Sequence, residues 1–267
     1  MDTKTVPLAA DPVLLLARRT SYRFMALALG DPRNGTFGQL AQAETRTLVS
    51  EAAEILREED ATVARPLALG ERPLAYLDPA PIFARLPSSA AELNHLYEDT
   101  FGLLSGSKCL PYETEYVPSK FTFQRSNMLA DVAGFYHAFG LQTSSSCPDR
   151  PDHVALECEF LAQLLQLQLR SRPTPGRSTA LESIQYEICR DAIHRFLREH
   201  FAWWTPAFAR LLAQQDTGGY YAAVAHFLGA LVAAERALAG VDSPSHSAEP
   251  SPIENADDCA GCQLAIH

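Results

Sequence analysis

Apolar residues recur at helical spacing through most of the chain, up to about residue 239. The first pattern opens with Asp11-Pro12, an N-cap followed by proline at the first helical position, and it ends before Gly30. Ser89 with Glu92, and Thr179 with Glu182, match the capping box that starts a helix. Helices are therefore predicted over residues 11–29, 40–59, 89–103, 126–139, 179–201, 205–218 and 220–239. A further helix is predicted from a cap within residues 149–152 to the break at 172–176.

The remaining segments lack this period. Residues 64–87 are richer in proline, and we interpret them as a connection with a short helical turn. In the second helix, Leu48, Ala52, Ile55 and Leu56 are expected on the buried face. No alternating strand pattern with hairpin punctuation is evident. The predicted fold class is all-α: one helical-bundle domain over residues 1–240, followed by a disordered Ser/Pro/acid-rich tail over residues 241–267.

Composition narrows the functional classes. The 267 residues carry a formal net charge of -10, which argues against general nucleic-acid binding and permits a cationic partner. The N-terminal charge order is wrong for a secretory signal. The uncharged stretch 218–234 is short for a membrane span and contains His226, so we interpret it as a core helix. We expect a cytoplasmic protein without stable membrane insertion, as a monomer or homodimer.

Aromatic, acidic and imidazole side chains concentrate in a loop and a turn between predicted helices. These segments read Leu110-Pro111-Tyr112-Glu113 and Pro151-Asp152-His153. One interpretation is structural: the loop packs on the bundle with solvated glutamates, Asp152 caps the next helix, and His153 is a first-turn surface residue. The other is a groove for a peptide with apolar and basic side chains, to which Glu157 and the nearby Glu159 add negative potential. Tyr97 and Phe101 are candidates for its floor, although an ordinary core position is favoured for Phe101.

The sequence ends in Cys259-Ala-Gly-Cys262, with His267 last. One such pair supplies two ligands, whereas a closed zinc site needs four. His246, His267 or a second chain are candidates for the rest. The alternatives are two reduced thiols in a tail, or a metal-binding or redox accessory protein that acts through Cys259 and Cys262.

The middle of the chain resembles the TorD/DmsD/NarJ family of redox-enzyme maturation chaperones. The resemblance is carried by an ordered set of residues: Tyr97 and Phe101, the Leu110–Glu113 loop, the GFYHAFGL stretch at 134–141, and Pro151-Asp152-His153 before an acidic-apolar helix. It implies an all-helical chaperone that binds an apo-molybdoenzyme catalytic subunit of the dimethyl-sulfoxide-reductase type. It also implies recognition of that client's twin-arginine leader peptide, with proofreading before export and no cofactor of its own.

The resemblance places client-binding residues at nine positions, and at Tyr22 as a looser match. The nine are Tyr97, Phe101, Leu110, Pro111, Tyr112, Glu113, Asp152, His153 and Glu157. A competing hypothesis is a hydrolase that uses His153 with Asp152 or Glu157. Since adjacent Asp and His do not normally face each other, and no nucleophile or phosphate-loop motif is present, we expect a binding protein and not an enzyme.

Overall fold

The computed structural model describes residues 11–59, 66–102, 109–117, 122–144, 149–173 and 179–243. Within these ranges the backbone forms helices, turns and one isolated bridge, without a strand, which confirms the all-α prediction. The helices are α1 (Pro12–Leu29), α2 (Thr36–Leu40), α3 (Ala43–Glu58), α4 (Ala80–Ala84), α5 (Ala90–Phe101), α6 (Thr122–Ala138), α7 (Val154–Arg170), α8 (Ala180–Phe196), α9 (Ala202–Gln215) and α10 (Tyr220–Ala239).

The helix ends follow the local capping chemistry. The Asp11 carboxylate accepts a hydrogen bond from the Val13 N–H at the start of α1. Both halves of the predicted capping box form at Thr179. At Ser89 one half forms: the Ser89 hydroxyl accepts from the Glu92 N–H. The Glu92 carboxylate accepts from the N–H of Ser88 and not from that of Ser89. These ends depend on neighbours in the sequence, and so they were predictable.

The core is built around α1, α7 and α10. Helix α1 packs against α7 and α3, α10 packs against α9, and α7 packs against α8. Among the described residues, α10 is a helix long and apolar enough to cross a membrane, but 78% of its apolar window is buried inside the fold. It is therefore the central core helix, as predicted.

Two buried ion pairs hold α10 to its neighbours. Glu235 accepts two hydrogen bonds of 2.8 Å from the guanidinium of Arg18 in α1. The next residue, Arg236, pairs with Glu71 in the connection before α4 at 2.8 Å. Arg236 also bonds the carbonyl of Val241, which is 4% exposed, so the packed structure continues past residue 240. The predicted disorder of the tail beyond residue 243 lies outside the described residues.

Three local predictions were wrong. Leu48 is 50% exposed, because α3 is rotated so that it buries Val49, Ala52, Ala53 and Leu56 at the i, i+3, i+4, i+7 spacing. Helix α6 begins at Thr122, several residues before the predicted cap.

The third wrong prediction concerns the junction of α8 and α9. No break occurs before Pro206, because a wide π turn over Leu197–Phe201 joins the two helices without a loop. That turn already interrupts the regular bonding pattern, so Pro206 is tolerated inside α9.

Candidate functional site

Backbone hydrogen bonds join the loop 109–117 to the turn before α7. The Glu113 N–H donates to the Asp152 carbonyl at 3.0 Å, and the Val154 N–H donates to the Pro111 carbonyl at 2.9 Å. The two segments thereby form one isolated antiparallel bridge. We call residues 111–114 with 150–154 the loop–turn clamp. It brings together the two segments in which the sequence predicted a shared site.

Asp152 lies inside the clamp and is fully buried. Its carboxylate accepts hydrogen bonds from the N–H of Thr114 (3.1 Å) and the hydroxyl of Thr114 (2.8 Å). The guanidinium of Arg150 binds the same carboxylate with two N–H groups, at 3.0 and 2.8 Å, and also contacts Glu115. The partner predicted for Asp152 was a guanidinium, and here the chain's own Arg150 supplies it.

His153, and not Asp152, is the N-cap of α7. The imidazole Nδ1 accepts a hydrogen bond of 3.1 Å from the N–H of Ala155. The structural interpretation as a surface residue is wrong, since the side chain is 1% exposed. Burial lowers the pKa of His153, although the charges of Asp149 and Asp152 raise it. The imidazole is therefore neutral at neutral pH, with its proton on Nε2.

Glu113 is buried and has partners in the π turn and in α9. Its carboxylate accepts from the indole N–H of Trp203 at 2.6 Å and lies 3.2 Å from Nδ1 of His200. The other ring nitrogen of His200 lies 3.2 Å from the exposed carboxylate of Asp131. Burial lowers the pKa of His200, but the pairing with Glu113 and Asp131 outweighs it and the net pKa is raised. The expectation of a solvated Glu113 is wrong: it fixes the loop to α9 and the π turn.

Glu157 is also fully buried. One carboxylate oxygen lies 3.2 Å from the indole nitrogen of Trp204, and the other has no hydrogen-bond partner among the described residues. Burial raises the pKa of Glu157 well above its usual range, and the charges of Glu113 and Asp152 raise it further. The fold thus favours the neutral acid, so Glu157 does not add the negative potential that the sequence suggested.

The predicted aromatic residues divide between the core and the surface. Phe101 is 8% exposed and contacts Tyr221 with ring centroids 5.0 Å apart, which is the core position favoured for it. Tyr97 is half-buried against Phe101. Burial raises the pKa of Tyr97, and the charges of Asp31 and Asp149 raise it further. Tyr112 and Leu110 are also half-buried. Tyr97, Leu110 and Tyr112 therefore leave an apolar surface accessible.

A groove of about 500 Å³ lies beside these aromatics, between α1, α2, α7, residues 141–144 and Asp149. We call it the α1–α7 groove. Its walls hold amide and hydroxyl side chains, an apolar floor, and ionisable groups. The ionisable groups are Arg23, Asp31, Asp149, His153 and Glu159. Since Tyr112 donates a hydrogen bond of 3.3 Å to Asp149, the groove and the clamp are continuous.

The sequence interpretation missed the clamp's partners and the Asp149 carboxylate of the groove. Arg150 directly precedes the Pro-Asp-His turn, and its spacing to Asp152 was the available signal. Trp203 and Trp204 are the chain's two tryptophans and are adjacent, a second signal. Asp149 was considered only as part of a helix cap, whereas Glu159 was expected to add negative potential near His153.

No group of three or more metal-ligating side chains occurs in the described part of the chain. Cys259, Cys262 and His267 lie outside the described residues, and the metal-binding hypothesis for that pair stays a prediction.

Comparison with known proteins shows the family. Residues 74–210 match the family model described as nitrate reductase delta subunit. This match covers α4 to α8, most of α9, and thus the whole loop–turn clamp.

Three curated relatives are named as chaperones, two of them as assembly chaperones of reductases. The chain is 36% identical over 120 residues to the selenate reductase assembly chaperone protein of Thauera selenatis, covering 45% of this chain and 57% of that protein. It is 33% identical over 125 residues to the chlorate reductase assembly chaperone protein of Ideonella dechloratans, covering 47% and 59%. It is 26% identical over 122 residues to the chaperone protein TorD of Aliivibrio salmonicida, covering 46% and 52%. The chain thus spans between half and three fifths of the length of the relatives it matches.

Proposed function

Since the chain belongs to the nitrate reductase delta subunit (TorD/NarJ) family, we propose that it is an assembly chaperone for a molybdoenzyme. It binds the apo form of the catalytic subunit and holds it until the molybdopterin cofactor is inserted. The names of the three relatives, which are chaperones and not enzymes, support this proposal. It also agrees with the sequence expectation of a binding protein without turnover.

The finer part of the proposal is recognition of the client's twin-arginine leader peptide in the cytoplasm, before export. The client is an enzyme of the dimethyl-sulfoxide-reductase type. A leader of this kind joins a guanidinium pair to an apolar run. The observation that carries the proposal is an accessible aromatic edge, formed by Tyr97 and Tyr112, directly beside a groove with acidic walls. Aromatic faces suit the apolar run and carboxylates suit the guanidinium groups.

Eight of the nine site residues take two roles in this proposal, and the ninth, His153, caps α7. Tyr97, Leu110 and Tyr112 keep accessible surface and contact the client. The buried members hold these contacts in place: Phe101 supports Tyr97 from the core, and Pro111 and Asp152 close the clamp. Glu113 and Glu157 anchor the clamp to α9. A rigid support of this kind lowers the entropy lost when a peptide binds.

The test begins with the client. The tagged protein is expressed in cells that produce a molybdoenzyme precursor, and the bound protein is identified. We expect the precursor to be recovered with its leader intact and without its cofactor. Recovery of the cofactor-loaded enzyme in equal amounts would contradict the assembly role.

The leader contact is tested by calorimetric titration of a synthetic leader peptide. Tyr97→Ala and Tyr112→Ala should each weaken binding by about 1–2 kcal/mol, as interface tyrosines commonly do. Tyr76→Ala is a matched control. Tyr76 is 44% exposed and has the guanidinium of Arg72 over its ring, as Tyr112 has that of Arg150, but Tyr76 packs on His226 of α10. If wild type and all three variants bind the leader peptide with equal affinity, the client contact lies on a different surface.

A further inference from the structure

His153 presents a buried donor to the α1–α7 groove. Its Nδ1 accepts the Ala155 N–H, so the proton of the neutral ring is on Nε2. The Nε2 atom is buried and has no hydrogen-bond partner among the described residues, and the nearest acid, Asp149, lies 3.8 Å away. His153 is one of the residues that line the groove. A buried unpaired donor is costly, and at the wall of a cavity it marks a place where an acceptor binds.

The acids of the groove differ in how well they are paired. Asp31 is occupied, because the Arg33 guanidinium and N–H donate to its carboxylate. Within the described residues, Asp149 accepts two hydrogen bonds, both at Oδ1, from Tyr112 and from the Arg150 N–H.

Glu159 makes no hydrogen bond or ion pair with any residue in the described ranges. Arg23 lowers the pKa of Glu159 through its charge alone, and partial burial raises it by more. Two carboxylates of the groove, Asp149 and Glu159, thus keep oxygens free for a ligand.

We propose that the α1–α7 groove binds an extended peptide segment with an arginine or lysine side chain. Glu159 pairs with the cation, and His153 donates through Nε2–H to a main-chain carbonyl. This inference rests on the proposed function, since the leader peptide is the natural source of such a segment.

The side chains of the groove walls favour a peptide over an anionic ligand. Three carboxylates face one arginine in the groove, so an anion is disfavoured. Amide and hydroxyl side chains can pair with both the N–H and the C=O of a peptide chain. These side chains are Asn34, Thr36, Gln39, Gln142, Thr143 and Gln163.

The test uses a labelled, end-blocked peptide with two consecutive arginines before an apolar run, and a matched peptide with citrulline in place of both arginines. Citrulline keeps the shape and removes the charge. Fluorescence anisotropy should show that the wild-type protein prefers the arginine peptide by about tenfold, which is ~1.4 kcal/mol. Raising the salt concentration should reduce this preference, because part of the site is open to solvent.

Three variants locate the contact. Glu159→Gln should lose most of the preference for arginine and leave citrulline binding unchanged. Glu54→Gln, which removes the same charge from the exposed face of α3, should behave as wild type. His153→Asn retains an N-cap acceptor but lacks the Nε2 donor, so it should weaken both peptides equally. Circular dichroism checks that each variant is folded.

The inference is overturned if wild type binds both peptides equally or binds neither, or if Glu159→Gln and Glu54→Gln give the same affinities. The proposed chaperone function fails differently, by the absence of a co-purified precursor. A precursor that is recovered equally well with Glu159→Gln would retain the function and reject this groove as the arginine site.

Discussion

Replacing Asp152 by alanine removes the acceptor on which the loop–turn clamp depends. The N–H and hydroxyl of Thr114 and two N–H groups of Arg150 all donate to this carboxylate. From the sequence alone, the expected loss of folding free energy was that of a helix cap, on the order of 1 kcal/mol. The structure changes the expectation, because the cap is His153 and Asp152 is fully buried.

The magnitude follows from what each donor loses. Thr114 is 3% exposed, so its N–H is left buried without an acceptor, which costs about 1–3 kcal/mol. The Arg150 side chain is 38% exposed and keeps Glu115, so its loss is about 1 kcal/mol at most. The lost hydrogen bond of the Thr114 hydroxyl adds about 1 kcal/mol. The free energy of unfolding should therefore fall by roughly 2–5 kcal/mol, and Tm by roughly 4–20 °C.

Urea denaturation followed by circular dichroism measures this difference directly. Asp11→Ala is the matched control, because Asp11 is an exposed N-cap whose carboxylate accepts one hydrogen bond of 3.0 Å. It should cost about 1 kcal/mol. If Asp152→Ala is no more destabilising than Asp11→Ala, the clamp is not held by this carboxylate and the reasoning fails.

Two further predictions concern Glu157 and the end of the domain. The folded pKa of Glu157 is raised above its unfolded value of 4.5, so its contribution to stability is complete below that value and is lost as pH rises through the folded pKa. Glu157→Gln, which mimics the neutral acid, should gain stability relative to wild type as pH rises from about 5 to 8, and a pH-independent difference in urea denaturation would refute this. Truncation after Gly240 should cost about 2 kcal/mol, because Val241 is 4% exposed and is bonded to Arg236. Truncation after Ser243 should leave Tm unchanged, and equal melting of the two truncated proteins would show that Val241 contributes nothing.

Helix ends were predictable because their determinants are local. Asp11-Pro12, the Thr179 capping box and Gly240, with its positive φ of 70°, all act within one turn of the backbone. The rotation of α3 was not predictable from its own period, since Leu48 and Val49 are adjacent apolar residues. Which of the two is buried depends on how α3 packs against α1.

The candidate site was predictable as a pair of segments but not as a set of contacts. The residues that bind Glu113 lie 87 and 90 positions away along the chain, and no local pattern connects them. Burial changed the expected roles of two acids: Asp152 and Glu157 are buried, whereas Asp149 and Glu159 keep oxygens without a hydrogen-bond partner among the described residues. Sequence reasoning assigned charge to the correct region and named Glu159, but it did not separate the buried acids from the accessible ones.

The three buried acids position the loop–turn clamp. Glu113 is held by an indole and an imidazole, Asp152 by a guanidinium and a threonine, and Glu157 by an indole alone. Glu113 and Glu157 thereby tie the loop and α7 to α9, and Asp152 ties the loop to the turn. Tyr112 and His153 are paired in the bridge of the clamp backbone. In the proposed complex, the acids that we expected to bind the peptide therefore act one step earlier, by fixing the groups that contact it.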